Sequence, residues 1–222
     1  MVASISIISS LLPIVFFILF CLKTNIRGLW VIFFYCLASL LSDIFLGVGW
    51  GLHHQYFIWN AYTLVEYLLL VYFFYVTIKL RLIRSLIIII SVAYFITFLL
   101  LNKGTNNQFN SVLSFISQLI ILALCLIYIL SSMAQISESI NILSPSFLIV
   151  IGILLYVACT LFLFIIANQL TEEQKNKYWG ITYYSNLLTN LLFSTAFLLY
   201  RYQNKKLPPE SHNVDFTSPN DR

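Results

Sequence analysis

Apolar residues follow one another along most of the chain in runs of about twenty, and polar residues gather in short clusters between those runs. In hydrocarbon only a helix satisfies its own backbone hydrogen bonds, and at about 1.5 Å per residue it needs about 20 mostly apolar residues to cross. Seven runs qualify, at 5–22, 29–48, 56–78, 85–101, 111–133, 147–167 and 181–200. The clusters that separate them are Lys23 to Gly28, Gly49 to Gln55, Lys79 to Arg84, Asn102 to Asn110, Ala134 to Ser146, and Asn168 to Gly180. The pattern predicts an all-α membrane protein, a bundle of seven transmembrane helices over residues 1–202. Residues 203–222 carry Pro208, Pro209, Pro219 and mixed charge without apolar periodicity, and read as a disordered cytoplasmic tail.

Composition sharpens this reading. The 222 residues are 60% hydrophobic and 9% charged, with a mean hydropathy of +0.91. An ordinary soluble domain is about 45–50% apolar and about 25% charged, so a water-soluble fold is excluded. Twelve Lys and Arg against eight Asp and Glu give a net charge of +4. These charges are scattered, whereas nucleic-acid binding needs basic residues clustered on one face, so no nucleic acid is expected as a partner. The partner that the composition implies is the lipid bilayer.

Orientation follows from the basic residues, which are retained on the cytoplasmic side when they flank a span. With the amino terminus outside, the inner segments hold Lys23, Arg27, Lys79, Arg81, Arg84, Arg201, Lys205, Lys206 and Arg222, and the outer ones Lys103, Lys175 and Lys177. Trp30 then lies at an inner edge, and Trp50, Trp59 and Trp179 at outer edges, where amphipathic rings prefer to sit. Both signals predict a multi-pass protein of the cell (inner) membrane with its amino terminus outside and its carboxyl terminus inside. The first run has no basic residue ahead of it, so it reads as a retained helix rather than a cleaved signal peptide. Cys21, Cys36, Cys125 and Cys159 all fall within spans and read as small packing residues rather than a disulfide framework.

Seven spans divide as three, one and three, the arrangement of a parallel internal repeat. Laying Thr63 to Leu69 over Leu187 to Phe193 pairs Glu66 with Asn190 and Tyr62 with Asn186.

Chemistry is to be sought where the bilayer makes polarity expensive. Asp43 and Glu66 lie within spans, and a charge at the bilayer centre costs at least about 2.5–3.5 kcal/mol, so such groups face the bundle interior, pair, or lose their charge. Asp43 is about 7 Å from the outer end of its helix and Glu66 about 15 Å in, near the midplane. Trp59, Tyr62, Thr63, Glu66, Leu70 and Phe73 share one face of the third helix by the i, i+3, i+4, i+7 rule. Tyr62 and Thr63 are therefore candidates to hydrogen-bond Glu66, and Asn60, at the depth of Asp43, to pair with it. Tyr183, Asn186, Asn190 and Ser194 form a second polar stripe on helix seven, with Ser114 and Gln118 on helix five and Ser9 and Ser10 on helix one. Polar side chains thus concentrate in the outer halves, which predicts a polar pocket that opens outward and is floored near Glu66. Its expected ligand-binding residues are Glu66, Asp43, Asn60, Tyr62, Thr63, Asn186, Asn190 and Gln118. The plainer reading of the Asn, Gln and Ser residues is interhelical hydrogen bonding worth about 0.6–2 kcal/mol each. The fourteen Tyr and nineteen Phe suggest no aromatic cage and read mostly as lipid-facing or core residues.

His53 and His54 stand beside Asp43 in an outer loop shaped by Gly47, Gly49 and Gly51. Catalytic zinc needs three protein ligands, and His212 falls on the opposite side of the membrane, which rules out a histidine triad. His53, His54 and Asp43 remain conceivable as a two-histidine, one-carboxylate set, but adjacent loop histidines diverge unless the backbone turns sharply, and no metal or cofactor is expected. Ser42-Asp43 followed by these histidines resembles the ceramidase and progestin-receptor-like membrane hydrolases, but the His-x-x-x-His of their last helices is missing, and with it the zinc site their chemistry needs. Ser39-Leu40-Leu41-Ser42-Asp43 resembles the Ser-x-x-Gly-Asp stretch of lysoplasmalogenase-like membrane proteins without its Gly. A Ser-Asp on helix two followed by Asn60-x-x-x-x-x-Glu66-Tyr67 on helix three is similar to small uncharacterised bacterial seven-transmembrane proteins, a resemblance that covers most of the chain and implies no activity. No Lys lies inside a span, which excludes a retinal Schiff base.

Three classes of function fit these residues. The first is a binding, sensing or carrier protein whose pocket takes a small polar or lipidic ligand. The second is a membrane-embedded hydrolase acting on lipid with Glu66 as general acid or base, for which no nucleophile with a partner base is evident. The third is a non-catalytic subunit packed against another membrane protein.

Overall fold

The computed structural model describes residues 2–47, 51–101, 110–134, 144–166 and 172–206. Among them are seven α-helices and no strands: α1 Val2–Phe20, α2 Arg27–Gly47, α3 Gly51–Thr77, α4 Arg81–Leu101, α5 Ser111–Ala134, α6 Pro145–Ile166 and α7 Glu172–Lys206. Five of them, α2 to α6, are long and apolar enough to cross a membrane, and α1 contributes a shorter apolar stretch, Ile7–Phe20. The protein is therefore an all-helical chain of membrane-embedded character.

Several helices outrun the apolar runs that predict them. The start of α3 at Gly51 takes in His53 and His54, α4 begins at Arg81, and α7 begins at Glu172 and continues to Lys206, four residues into the expected tail. Charged and polar residues end a membrane span without ending a helix. Glu172 and Glu173 suit the positive end of a helix dipole, and the Glu, Gln and Lys that follow are good helix formers. The outer loop expected at His53 and His54 is thus replaced by the first turn of α3, while their side chains lie outside the described residues.

The packing closes a ring in the order α1, α2, α3, α5, α6, α7 and back to α1, with α4 outside it against α3. Pairwise contacts give the directions. Asn190 meets Ser9 and Phe197 meets Phe17, so α7 and α1 run the same way. Asn60 meets Asn110 and Thr63 meets Ser114, so α3 and α5 do as well. Tyr35 meets Glu66, and a Cβ at Gly28 would lie 3.5 Å from the Phe73 ring, so α2 and α3 are antiparallel.

Helices α6 and α7 approach closely at Gly152. A Cβ there would lie 3.1 Å from the Phe193 ring, and the Thr189 hydroxyl donates to the Gly152 carbonyl at 3.1 Å; a small residue lets α6 and α7 come together and hydrogen-bond. Phe17 anchors the apolar half of the bundle, stacked on Phe33 at 4.6 Å and edge-on to Phe197 at 5.3 Å. The peripheral α4 buries Ile87, Tyr94 and Phe98, one stripe at helical spacing, and leaves Ile88, Ile89, Val92, Phe95 and Ile96 exposed. The cysteines are free; three are buried and Cys159 is exposed.

Buried polar residues are unevenly shared between the two ends. Ser9, Ser10, Ser42, Asn60, Thr63, Glu66, Ser111, Ser114, Ser117 and Gln118 sit in the half of the bundle where α2 ends and α3 begins. Ser185, Thr189 and Asn190 extend this set on α7, and Thr24, between α1 and α2, marks the opposite end.

Candidate functional site: a carboxyl among tyrosines

Glu66 is 4% exposed, which places it inside the bundle and away from the exterior. The Tyr35 hydroxyl on α2 donates to its Oε1 at 3.2 Å. The Tyr156 hydroxyl on α6 lies within interaction range of the same carboxyl from across the ring. Tyr62, one turn before Glu66 on α3, lies within interaction range of Tyr35 and Ser39. Three helices thus converge on one carboxyl through phenol groups. This suits the chemistry, because a carboxylate only accepts hydrogen bonds and a phenol has an O–H to give. A hydrogen bond to a charged group is worth about 1.5–3 kcal/mol, enough in pairs to offset what the bilayer interior charges for an acid.

Below the carboxyl the bundle is apolar: the Tyr35 ring meets Phe193 edge-on at 6.0 Å, and Leu70, Phe73 and Phe74 on α3 are buried. Above it exposure rises. Ser39, Tyr62 and Asp43 are all half-buried, and the Asp43 carboxylate lies within electrostatic range of Tyr62, Tyr156 and Tyr183. A file of oxygen-bearing side chains therefore leads from Glu66 towards the end where α2 meets α3.

Of the eight residues expected at the site, the structure brings Glu66, Tyr62 and Asp43 together. Three others lie on the α3–α5 seam. The Thr63 hydroxyl donates to the Trp59 carbonyl at 3.0 Å and meets the Ser114 hydroxyl at 3.4 Å. Its partners are those, and not Glu66 as the shared helix face suggests. Asn60 accepts from the Asn110 backbone N–H at 3.2 Å. Gln118, 1% exposed, has its Oε1 buried without a hydrogen-bond partner. Asn190 sits on the other parallel seam, donating to Ser9 at 3.2 Å and Ser10 at 3.5 Å. Asn186, one turn earlier on α7, is half-buried.

Tyr35 and Tyr156, the two partners of Glu66, are absent from the expected set. A signal was present. Tyr35, Ser39 and Asp43 repeat at i, i+4, i+8 on α2, and Gly152, Tyr156 and Thr160 do so on α6; each spacing draws one stripe of polar or small residues down an apolar helix. Among the described residues no group of three His, Cys, Asp or Glu is placed to hold a metal.

No protein-family model matches the chain, no curated protein matches it, and no solved structure does.

Proposed function

We propose that this is a seven-span membrane protein, amino terminus outside and carboxyl terminus in the cytoplasm, whose outward-facing polar site at Glu66 binds, senses or carries a small ligand. The observation that carries the reading is Glu66 itself, a buried carboxyl inside a membrane-type bundle, flanked by phenols from α2 and α6.

Depositing an acid at mid-bundle lowers stability relative to an apolar residue, whereas the file of Ser39, Tyr62 and Asp43 leads solvent and solutes towards it. In this reading α1 and α7 complete the spans, since both lie in the ring between helices of spanning length. The amino-terminus-outside orientation rests on Lys23, Arg27, Lys79, Arg81, Arg84, Arg201 and Lys205, which share the end of the bundle opposite to the α2–α3 connection.

Three-one-three organisation fits the same picture. The halves α1–α3 and α5–α7 each pack in chain order, their two mutual seams are both parallel, and α4 stays outside. Two similar halves around a central site are the geometry from which carriers rock.

The test uses the purified chain and a panel of small polar solutes that spans cationic, neutral and anionic members, read by thermal unfolding. The wild-type protein gains a saturable rise in its unfolding midpoint from at least one solute, and Glu66→Gln expresses normally but loses that rise. Identical responses of wild type and Glu66→Gln to every solute would end the reading.

A further inference from the structure

Resting on the site proposed above, we infer that its ligand is a small monovalent organic cation, an amine or quaternary ammonium group seated against Glu66 and framed by Tyr35, Tyr62 and Tyr156.

Charge is the first ground. Glu66 is engaged by hydroxyls alone, and hydroxyls bring hydrogen bonds without positive charge. Lys23, Arg27, Lys79, Arg81, Arg84, Arg201 and Lys205 lie at the far end of the bundle, while Lys175 and Lys177 stand on the first turns of α7 next to Glu172 and Glu173. The second in-span carboxylate, Asp43, lies on the approach and shares Tyr62 and Tyr156 with Glu66 as electrostatic neighbours. Two carboxylates near one another at the site, Glu66 and Asp43, favour a cation there over an anion.

The lining is the second ground. Phenol rings from α2, α3 and α6 surround the carboxyl, with Tyr183 of α7 near Asp43. Aromatic rings attract cations through their quadrupoles, most strongly where water is excluded, and an ammonium group exploits both the ring and the carboxylate. An organic cation is satisfied by a carboxylate and aromatic walls.

Full-length protein in detergent is unfolded thermally in the presence of tetramethylammonium or butylammonium chloride. Sodium chloride at equal ionic strength, butanol and butyrate serve as comparisons. The organic cations raise the midpoint saturably, butanol and butyrate do not, and affinity falls about tenfold or more in Glu66→Gln, a loss of roughly 1.4 kcal/mol or more in binding. Tyr156→Phe, which keeps the ring, weakens the same binding several-fold and serves should Glu66→Gln not fold. Stabilisation by sodium alone, or by butanol or butyrate in a Glu66-dependent way, would overturn the cation while leaving the site standing. Responses that are the same in wild type and in Glu66→Gln, whatever the solute, would overturn both.

Discussion

The Tyr156 hydroxyl shows how much of this molecule turns on single atoms. It reaches Glu66 from a helix that is no neighbour of α3 in the ring, so it ties two walls of the bundle through one carboxyl. Removing it with Tyr156→Phe keeps the ring and the packing but leaves the carboxyl short of a donor, at a cost of about 1–3 kcal/mol. In a Glu66→Gln background the same change costs less, and the difference is a coupling of about 0.5–3 kcal/mol that thermal unfolding in detergent measures through a double-mutant cycle. An equal cost in both backgrounds would show that the hydroxyl does not act on the carboxyl. At this scale the sequence was legible in part. The price of an in-span acid singles out Glu66 and Asp43 without any coordinates. Tyr35 and Tyr156 are hidden because a tyrosine in an apolar run reads equally well as core, interface or lipid contact, and only the packing of α2 and α6 against α3 chooses.

Helices were the most legible features, since the apolar runs contain their centres. The ends were less so, because Arg81, Glu172 and the residues after Gln203 stop a membrane span but not the hydrogen bonding of a helix. Which helix touches which was not legible. The parallel seams α3–α5 and α7–α1 arise from packing that skips α4, and the polar residues Asn60, Thr63 and Asn190 that looked like site residues are engaged there. Gly152 makes the element scale testable. Its Cβ position lies 3.1 Å from the Phe193 ring, a core side chain also in contact with Tyr35. Gly152→Ala therefore pushes α6 from α7 and costs about 1–3 kcal/mol of thermal stability, whereas Gly28→Ala, with 3.5 Å to the nearest side-chain atom, is accommodated with a smaller change. Equal tolerance at both positions would contradict the close approach of α6 and α7.

For the whole molecule, the decisive feature is asymmetry between the ends. One half of the bundle buries serines, threonines, asparagines and a carboxyl, and the other buries Phe17, Phe73, Phe74 and Phe197. Lys23, Arg27, Lys79, Arg81, Arg84, Arg201 and Lys205 lie at the apolar half's end and Lys175 and Lys177 at the polar end; in the proposed orientation the apolar end is the cytoplasmic one. The proposed function has small solutes enter from the polar side alone. Labelling tests this most directly: Tyr62→Cys in a chain lacking Cys21, Cys36, Cys125 and Cys159, treated with a small membrane-impermeant thiol reagent in right-side-out and in inverted vesicles. The reagent modifies the introduced cysteine from the outer face and not from the cytoplasmic face. Modification only from the cytoplasmic face, or from neither, would contradict an outward-facing site above Glu66.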